Sequence, residues 1–329
     1  MFDDPYWFMI ELESVKVLVC DFRGGMTVLK IAVLGLGGIA QKAYLPVFAH
    51  LDNVEVHLFT RDSQKLKAIS EKYRFHNTHG SIDSMIRARV DAAFVHTSTA
   101  SHPEIVRAFL EAGIPVYVDK PVADNYEVTK ELIDLAEAKD TLLMVGFNRR
   151  FAPRYAEIAQ KSVDINMILM QKHRKAQASE ARTFIFDDFI HVVDTVLYLL
   201  DAPVEQMHVV PTMDGKLLSA ITVQFVANGK TATAIMNRDS GTSEERLTVF
   251  TSEAKLEVEH VTELHVYEGT GHNIARFGDW ETTLYKRGFE SIIMAFIDAV
   301  RHGKKEPVSK HSALETHRIC EEILQHVEG

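Results

Sequence analysis

A glycine-rich turn directly after a short apolar segment constrains the fold of this chain more than any other feature. The segment Val28–Leu34 is mostly aliphatic, is typical of a buried strand, and runs straight into Gly35-Leu36-Gly37-Gly38-Ile39-Ala40. Gly35 permits a tight turn, Gly37 lets the backbone approach a pyrophosphate, and the small Ala40 lets the next helix pack closely on the strand. The pattern predicts a strand, a phosphate-binding turn and a helix in succession.

A second predicted strand supports a dinucleotide-binding unit. Val54–Phe59 begins about twenty residues after the turn, which is the spacing expected in such a unit. The N–H groups at the start of the intervening helix and its partial positive charge favour phosphates. We therefore expect cofactor contacts from Gly35, Gly37, Gly38 and Ile39.

The end of the second strand bears on which cofactor is bound. An acidic residue here commonly binds a ribose hydroxyl, but the chain reads Thr60-Arg61-Asp62-Ser63. Thr60 carries no charge to repel a 2′-phosphate, and Arg61 can bind that phosphate and stack on adenine, so the residues favour NADP over NAD. Asp62 leaves two alternatives open. It binds the ribose if the strand end is shifted by one residue, or it caps the helix that starts at Ser63.

A lysine ends another predicted strand. The apolar run Ile114–Val118 follows Gly113 and leads into Asp119-Lys120-Pro121. A side chain at the carboxyl end of such a strand points toward the crevice where open α/β sheets bind ligands, and Pro121 fixes the backbone direction. Lys120 is therefore a candidate functional residue. The competing interpretation is a strand-end lysine in solvent.

Strands and helices alternate from 26 to 148, which predicts a dinucleotide-binding domain of the Rossmann α/β class with a doubly wound parallel sheet. Within it, Ser101 and Glu104 have the spacing of a capping box. From 149 to 329 the pattern predicts an α+β domain for substrate binding and oligomerisation, with a largely antiparallel open sheet and a hairpin turn at Asn228-Gly229. The elements predicted there are strands at 164–172, 206–210, 217–227, 230–237, 246–251 and 256–261, and helices at 289–300 and 313–326.

The first 25 residues precede this pattern. They carry acidic residues early and lack the basic segment of a signal peptide. We interpret 1–25 as an N-terminal extension, either an appendage or a translation start assigned too far upstream. The alternative is an extra strand at Val15–Cys20, whose β-branched content suits a sheet.

A segment between the two patterns carries charged residues among apolar ones. Asp187, His191 and Asp194 are spaced i, i+4 and i+7, which places them on one face of a helix. A carboxylate one turn from an imidazole can orient it and keep its pKa near neutral, as a general acid or base requires. A structural His–Asp pair explains the same spacing. One histidine and two carboxylates are weak grounds for a metal site, so no metal is expected.

Composition narrows the partners and the compartment. The 329 residues suit two domains, and the net charge of −10 argues against general nucleic-acid binding. No apolar stretch in the sequence reaches the roughly 18 residues needed to span a bilayer, so no membrane contact is expected. Cys20 and Cys320 cannot make a disulfide framework, which favours a reducing cytoplasm.

Four motifs in a fixed order carry a family resemblance. The glycine-rich turn, the Lys-Pro strand end, Gly146-Phe147-Asn148-Arg149-Arg150-Phe151 and the Asp-x-x-x-His segment resemble the Gfo/Idh/MocA oxidoreductases, most of all their MviM-like branch. The resemblance covers Met26 to the C-terminus. It implies an NAD(P)-dependent enzyme that transfers hydride between a nicotinamide cofactor and a sugar, polyol or related hydroxyl or carbonyl compound.

The resemblance also implies roles for single residues. The family's Glu-Lys-Pro matches Asp119-Lys120-Pro121, with Lys120 near nicotinamide and substrate, and its Asp-x-x-x-His matches Asp187 and His191, with His191 the acid or base. Asp119 is one methylene shorter than the usual glutamate, and Phe189 stands where the family often has glycine. In the family's Thr-Pro-x-x-x-His segment the proline is replaced here by a serine. The residues implied to line the cofactor or substrate crevice are Thr97, Ser98, His102, Asp119, Lys120, Asn148 and Arg149.

The leading hypothesis is therefore an oxidoreductase with Lys120, His191 and Asp187 as catalytic residues, with Asp187 orienting His191. The alternatives are a catalytically silent NADP-binding regulator or sensor, and NAD-assisted glycoside cleavage or epimerisation. An antiparallel sheet covered by helices on one face leaves a broad surface that monomers rarely tolerate. We therefore also expect a homo-oligomer, a dimer or larger, packed through that sheet.

Overall fold

The computed structural model describes residues 7–12, 15–20, 28–160 and 165–329, which form two large sheets and one separate hairpin. The hairpin pairs β1 (Trp7–Leu12) with β2 (Val15–Cys20) in antiparallel register. Val15–Cys20 is thus a strand, but it joins neither large sheet. The predicted boundary between residues 25 and 26 and the predicted strand start at residue 164 lie outside the described residues.

The first large sheet is a fully parallel one, as the sequence predicts. Its domain contains β3 (Leu29–Leu34), a π-helical turn (Ala40–Tyr44), α1 (Leu45–Phe48), β4 (Val54–Phe59), α2 (Ser63–Tyr73), β5 (Asn77–Thr78), α3 (Ile82–Arg87), β6 (Ala92–Val95), a 3-10 turn (Thr99–Ser101), α4 (His102–Glu111), β7 (Val116–Val118), α5 (Tyr126–Ala138) and β8 (Leu143–Val145). The strand order is β5–β4–β3–β6–β7–β8. This order reverses direction between β3 and β6, and open α/β sheets bind ligands at the carboxyl ends of the strands at such a point.

The second large sheet has eight strands and confirms the predicted, largely antiparallel arrangement. Its part of the chain contains a 3-10 turn (Asn148–Phe151), α6 (Pro153–Ala159), β9 (Met167–His173), α7 (Ala181–Phe184), a π-helical turn (Ile185–Phe189), α8 (Ile190–Leu200), β10 (Gln206–Asp214), β11 (Leu217–Ala227), β12 (Lys230–Asn237), β13 (Glu244–Phe250), β14 (Ala254–Glu259), β15 (Glu263–Glu268), β16 (Gly271–Ala275), α9 (Thr283–Lys286), α10 (Phe289–His302) and α11 (Lys310–Glu328). The order is β10–β11–β12–β9–β13–β14–β15–β16, and β12 with β9 is a parallel pair.

Turn chemistry explains one correct prediction and one wrong one. Asn228 and Gly229 both have positive φ, 48° and 72°, and join β11 to β12 as the hairpin pattern predicts. The predicted capping box is wrong, because Ser101 already lies in a 3-10 turn and its hydroxyl donates to the carbonyl oxygen of Ser98. β5, β15 and β16 were not predicted, and the Gly-His-Asn sequence that opens β16 has little β-branched content.

The two faces of the second sheet differ in cover. Along β9, Ile168, Met170 and Lys172 are buried, whereas the alternate side chains Met167 and Leu169 are partly or largely exposed. Helix α8 packs against the buried face at β9 and β12. The other face presents a mixed apolar and polar surface.

The last two helices return to the first domain. Phe296 of α10 packs edge-on against Phe94 of β6 and Tyr117 of β7, with ring centroids 5.0 and 5.6 Å away. On α11, His317 Nε2 accepts a hydrogen bond from the backbone N–H of Val122 at 3.1 Å. The two C-terminal helices therefore contact strands and a loop of the part of the chain that carries the first large sheet. Among the described residues, no helix is long and apolar enough to cross a membrane.

Candidate active site

A cavity of about 790 Å³ is lined by residues from both of the segments that carry the two large sheets. Its walls come from the helix after the glycine turn, from the ends of β6 and β7, from the π-helical turn before α8, and from the segments after β9 and around α9. The predicted site residues that line it are Ile39, Thr97, His102, Asp119, Lys120, Asn148, Arg149, Asp187 and His191. The other predicted site residues are also described by the structure but do not line the cavity. They are Gly35, Gly37, Gly38, Thr60, Arg61 and Ser98.

The glycine turn has the shape that a dinucleotide requires. Gly35 has φ +85°, and a Cβ there would stand 2.5 Å from the backbone nitrogen of Thr97, so the position excludes a side chain. A Cβ at Gly37 would meet nothing within 4 Å in the described structure, so a ligand can approach its backbone directly. Ala40 is fully buried where the helix meets the sheet. These residues fit the pyrophosphate of a dinucleotide.

The end of β4 resolves one alternative for Asp62. β4 ends at Phe59, so Thr60 is the first residue after it, and Arg61 is exposed. Asp62 accepts a hydrogen bond from the backbone N–H of Lys65 at 3.0 Å and is the N-cap of α2. The capping interpretation of Asp62 is therefore confirmed.

Lys120 bridges the cleft. Its ammonium lies 2.5 Å from the backbone carbonyl oxygen of Asp187, so the strand-end lysine of the first domain is tied to the π-helical turn of the second. Burial lowers the pKa of Lys120 although Asp188 and Asp187 attract its charge. The side chain thus faces the cavity and not bulk solvent.

The residue before it is held in a buried network. Asp119 Oδ1 accepts from the Tyr44 hydroxyl at 2.5 Å, and Asp119 Oδ2 bonds His96 Nδ1 at 2.9 Å. Tyr44 stacks on His96 and also bonds the hydroxyl of Tyr117 at 2.9 Å. Burial on its own raises the pKa of Asp119, but His96 and Tyr44 outweigh it, so the carboxyl pKa lies below its ordinary value. Asp119 is an ionised anchor for the strand end that carries Lys120.

His102 ties together two loops of the cavity wall. Its Nδ1 lies 2.9 Å from the carbonyl oxygen of Pro121 and its Nε2 lies 3.1 Å from that of Thr97. Burial lowers the pKa of His102, so the ring is neutral and donates to one of these carbonyls at a time. This arrangement positions the Lys120 turn beside the end of β6.

The predicted orientation of His191 by Asp187 is wrong. The structure describes both side chains, and neither a hydrogen bond nor an ion pair joins them. His191 Nδ1 is buried without a hydrogen-bond partner among the described residues. The turn Ile185–Phe189 is π-helical, and its wider turn does not align i with i+4 as an α-helix does. The backbone carbonyl oxygen of Asp187 accepts a hydrogen bond from the ammonium of Lys120.

Asp194 does not share the site with His191. Its carboxylate accepts from Arg150 Nη2 at 2.6 Å and from the Thr316 hydroxyl at 3.1 Å, on the side of α8 that faces α11. The prediction that the three residues share one helix face is therefore wrong. His191 lines the cavity, and Asp194 is a paired structural carboxylate.

Asn148 and Arg149 form the back wall of the cavity. Arg149 makes two hydrogen bonds to Glu245, Nε to Oε1 at 3.0 Å and Nη2 to Oε2 at 2.9 Å, and both side chains are buried. Asn148 accepts from Arg149 Nη1 and donates to the carbonyl oxygen of Arg287 at 2.8 Å. Burial raises the pKa of Glu245, but Arg149 outweighs it and lowers that pKa to about 2.

Sequence reasoning missed a second lysine in the cavity. Lys172 is 1% exposed, and its ammonium donates to the carboxylate of Asp188, which also accepts from Arg174. Burial and repulsion by Arg149 lower the pKa of Lys172 to about 7. The available signal was the period-two pattern of β9, which places Lys172 on the same buried side as Ile168 and Met170.

Comparison with known proteins decides the family. The family model described as an oxidoreductase family with an NAD-binding Rossmann fold, GFO_IDH_MocA, matches residues 29–147, and a YceM-like C-terminal domain model matches 153–269. The chain is 34% identical over 305 residues to YceM, an oxidoreductase by name, from Salmonella typhimurium, covering 91% of this chain and 98% of that protein. The chain belongs to the Gfo/Idh/MocA oxidoreductase family.

Two further relatives bear on this Gfo/Idh/MocA chain. The crystal structure of the dehydrogenase MviM from Clostridium difficile superimposes with a TM-score of 0.85 at 34% identity, covering 91% of this chain and 99% of that one. The myo-inositol dehydrogenase Hyg17 from Streptomyces leeuwenhoekii is 28% identical over 226 residues, covering 64% of this chain and 67% of that protein. The NAD-binding model includes the glycine turn and Lys120, and the C-terminal model includes Lys172 and His191.

Among the described residues, no group of three or more His, Cys, Asp or Glu side chains is arranged to hold a metal ion.

Proposed function

We propose that this protein is an NADP-dependent dehydrogenase or reductase that interconverts a hydroxyl and a carbonyl group of a sugar, polyol or related compound. One observation carries the proposal: Lys120 from the first domain and His191 from the second line one cavity beside the glycine turn. The nicotinamide cofactor, when bound through that turn, supplies the hydride acceptor or donor.

His191 is suited to move the substrate proton. Burial lowers the pKa of His191 well below its ordinary value, and the cations Arg149, Lys172 and Lys120 lower it further. The near-neutral pKa expected from the sequence is therefore wrong for the protein alone. The imidazole is neutral and has a nitrogen available to accept a proton from a substrate hydroxyl. Once protonated, the same ring is a ready donor to a carbonyl oxygen in the opposite direction.

Lys120 is suited to act on the same substrate oxygen. An ammonium held in the cavity can donate a hydrogen bond to an oxygen on which negative charge develops, and low local dielectric strengthens that interaction. The carbonyl of Asp187 holds the ammonium at the cavity wall. The catalytic roles assigned to Lys120 and His191 follow from this convergence, with Asp187 as a positioning residue.

NADP is the cofactor that the residues favour. Thr60 places no carboxylate at the end of β4, Asp62 is engaged as a helix cap, and Arg61 is exposed and free of a protein hydrogen bond within the described structure. A guanidinium at this position suits a 2′-phosphate. These features support NADP over NAD.

We further propose that the protein is a cytoplasmic homo-oligomer. The outer face of the second sheet exposes Val210 by 48% and Met167 by 45%, and Leu169 and Ile235 are partly exposed beside them. Burying this face against a second copy removes apolar surface from water. Low cysteine content, with Cys320 a buried free thiol, supports a reducing compartment.

The test is a panel of sugars and polyols assayed by nicotinamide absorbance. Net formation or consumption of NADPH with one member of the panel is the expected result. Turnover of a glycoside or epimerisation without net change in NADPH would instead support cleavage or epimerisation with the cofactor recycled. Tight NADPH binding without turnover of any hydroxyl or carbonyl compound in the panel would support a catalytically silent regulator.

A further inference from the structure

Cations outnumber carboxylates in the cavity of this acidic protein. The chain carries a net charge of −10, yet three carboxylates line the cavity against six cationic side chains. The cations are Lys42, Lys120, Arg149, Lys172, Arg174 and Arg287. The carboxylates are Asp119, Asp187 and Asp188.

Two of these carboxylates already have partners. Asp119 is held by Tyr44 and His96. Asp188 is held by Lys172 and Arg174, and its pKa lies far below the ordinary value because these cations outweigh its burial. Arg149 is paired with Glu245, which lies outside the lining, so the uncompensated positive charge of the cavity rests on the remaining cations.

Arg287 is the clearest uncompensated cation. Its guanidinium makes no hydrogen bond to any described residue, and its nearest ion-pair contact is Glu245 Oε2 at 4.0 Å. That carboxylate is already bonded twice to Arg149. Burial, followed by repulsion from Arg149, lowers the pKa of Arg287 below its ordinary value. An anion bound beside the guanidinium would offset that repulsion.

Arg174 presents a second unused donor edge. Its Nε and Nη2 donate to Asp188 at 3.1 and 3.4 Å, whereas its Nη1 has no partner among the described residues. The side chain is 35% exposed and lines the cavity just after β9. A guanidinium used on one edge still offers N–H groups to an oxyanion on another.

We propose that Arg174 and Arg287 form an oxyanion clamp, so that the substrate carries a carboxylate or phosphate in addition to its reacting hydroxyl or carbonyl group. This assignment rests on the proposed oxidoreductase function, since it names the class of its substrate. Both arginines lie outside the first domain, whose glycine turn is the place for the cofactor's own phosphates. Guanidinium forks match the planar carboxylate and the phosphate oxygens equally, so the chemistry shared by both is what the clamp recognises.

The clamp also suits the histidine. Besides burial, four cations lower the pKa of the His191 imidazole. They are Arg149, Lys172, Lys120 and Arg174. An oxyanion bound among these groups offsets their repulsion of a proton and brings the pKa of His191 toward its ordinary value. The substrate would then help to tune the group that exchanges its proton.

The experiment compares three probes with one carbon chain on NADPH-saturated protein. D-sorbitol is neutral, D-gluconate replaces one terminal carbinol by a carboxylate, and D-sorbitol 6-phosphate adds a phosphate. Thermal unfolding is followed as each probe is titrated, with inorganic phosphate as a fourth probe that is independent of sugar stereochemistry. Saturating NADPH first occupies the cofactor's phosphate positions, so any added stabilisation reports the substrate side.

At least one anionic sugar probe is expected to half-saturate at a concentration about tenfold or more below that of D-sorbitol, the scale of charged hydrogen bonds. Tighter binding of D-gluconate identifies a carboxylate substrate, and tighter binding of D-sorbitol 6-phosphate identifies a phosphorylated one. Inorganic phosphate is expected to stabilise the same complex. Equal midpoints for the three sugar probes, or no stabilisation by any anion, would overturn the clamp.

Variants locate the effect. R174Q and R287Q are each expected to lower the anion preference several-fold, and the double variant is expected to abolish it. R287K separates charge from geometry, because it keeps the positive charge and loses the forked guanidinium. The matched control is R107Q, because Arg107 is partly exposed, pairs with Glu131 and does not line the cavity. An anion preference that persists in the double variant would overturn the assignment of these residues. Absence of NADPH binding at the first step would instead contradict the proposed function, while turnover of neutral polyols without anion preference would contradict the clamp alone.

Discussion

Lys172 donates a hydrogen bond to the carboxylate of Asp188 at the wall of the cavity, and its pKa lies at about 7. Burial is the largest cause, and repulsion by Arg149 adds to it, so that together they outweigh the attraction of Asp188 and Glu245. The amine of Lys172 is thus a titrating group near neutral pH inside the cleft. Lysines with such depressed pKa values cluster at functional sites.

This lysine should make stability depend on pH in a defined window. Because folding lowers the pKa of Lys172, the unfolded chain binds more protons between about pH 7 and about pH 10, so the free energy of unfolding should rise with pH there. Below about pH 7 both states are protonated and the contribution is constant. Chemical denaturation across this range should show a smaller slope for Lys172→Met, whereas Lys67→Met, a change at an exposed lysine of α2, should keep the wild-type slope. An unchanged slope in Lys172→Met would contradict the depressed pKa.

Removal of either proposed catalytic residue should slow turnover. Lys120→Ala and His191→Ala should each lower kcat by roughly 100-fold or more on a turned-over sugar or polyol, the usual scale of acid or base assistance. NADPH affinity, measured by isothermal titration, should stay nearly unchanged. His302→Ala is the matched control because His302 lies exposed on α10. Full turnover in either catalytic variant would count against the mechanism.

Cofactor choice should depend on Arg61. Wild-type protein should bind NADPH more tightly than NADH, because the guanidinium attracts the 2′-phosphate. Arg61→Ala should erase most of the difference, and Thr60→Asp should reverse it by adding a carboxylate that repels the phosphate and binds the ribose hydroxyls. Isothermal titration checks each case. Equal or tighter NADH binding in the wild type would remove the claim.

The two glycines of the turn should behave differently. Gly35→Ala places a Cβ against the backbone of Thr97 at a positive φ, so it should lower stability by at least about 1 to 3 kcal/mol. Gly37→Ala meets open space and should leave the unfolding free energy close to wild type. The same change should weaken NADPH binding, because the methyl group occupies the approach to the pyrophosphate. Intact NADPH affinity in Gly37→Ala would show that the phosphates bind elsewhere.

The open sheet face should mediate assembly. Wild-type protein should be a dimer or larger by light scattering at micromolar concentration, and Leu169→Glu, at the centre of that face on β9, should shift it toward monomer. A buried unpaired carboxylate is costly at such an interface. Met294→Glu is the control, since Met294 is 45% exposed on α10 away from the sheet. A monomeric wild type would contradict the prediction.

Most of the fold could be predicted from the sequence because short segments determine it. The strand before Gly35, the turn itself and the alternation that follows are set by residues within a few positions of one another, and the structure has the predicted parallel sheet. Asn228 and Gly229 likewise determine their hairpin through their own backbone preferences. The strands β15 and β16 escaped prediction because sheet pairing, and not local propensity, holds their polar residues extended.

The site could be predicted only in part, because the charges that act on each of its side chains are not all close to it in the sequence. The sequence placed Lys120 and His191 in one candidate site and indicated the dinucleotide turn, since strand ends and glycine spacing are properties of short segments. It could not show that a π-helical turn separates Asp187 from His191, that Asp194 pairs with Arg150, or that Lys172, Arg174 and Arg287 meet in the same cavity. Arg150 and Asp194, and Arg287 and the two cations at the end of β9, come from segments far apart along the chain, and their pKa values and partners depend on burial and distance. Short-range chemistry therefore determined the architecture, and only the tertiary structure decided which charged groups face one another across the cleft.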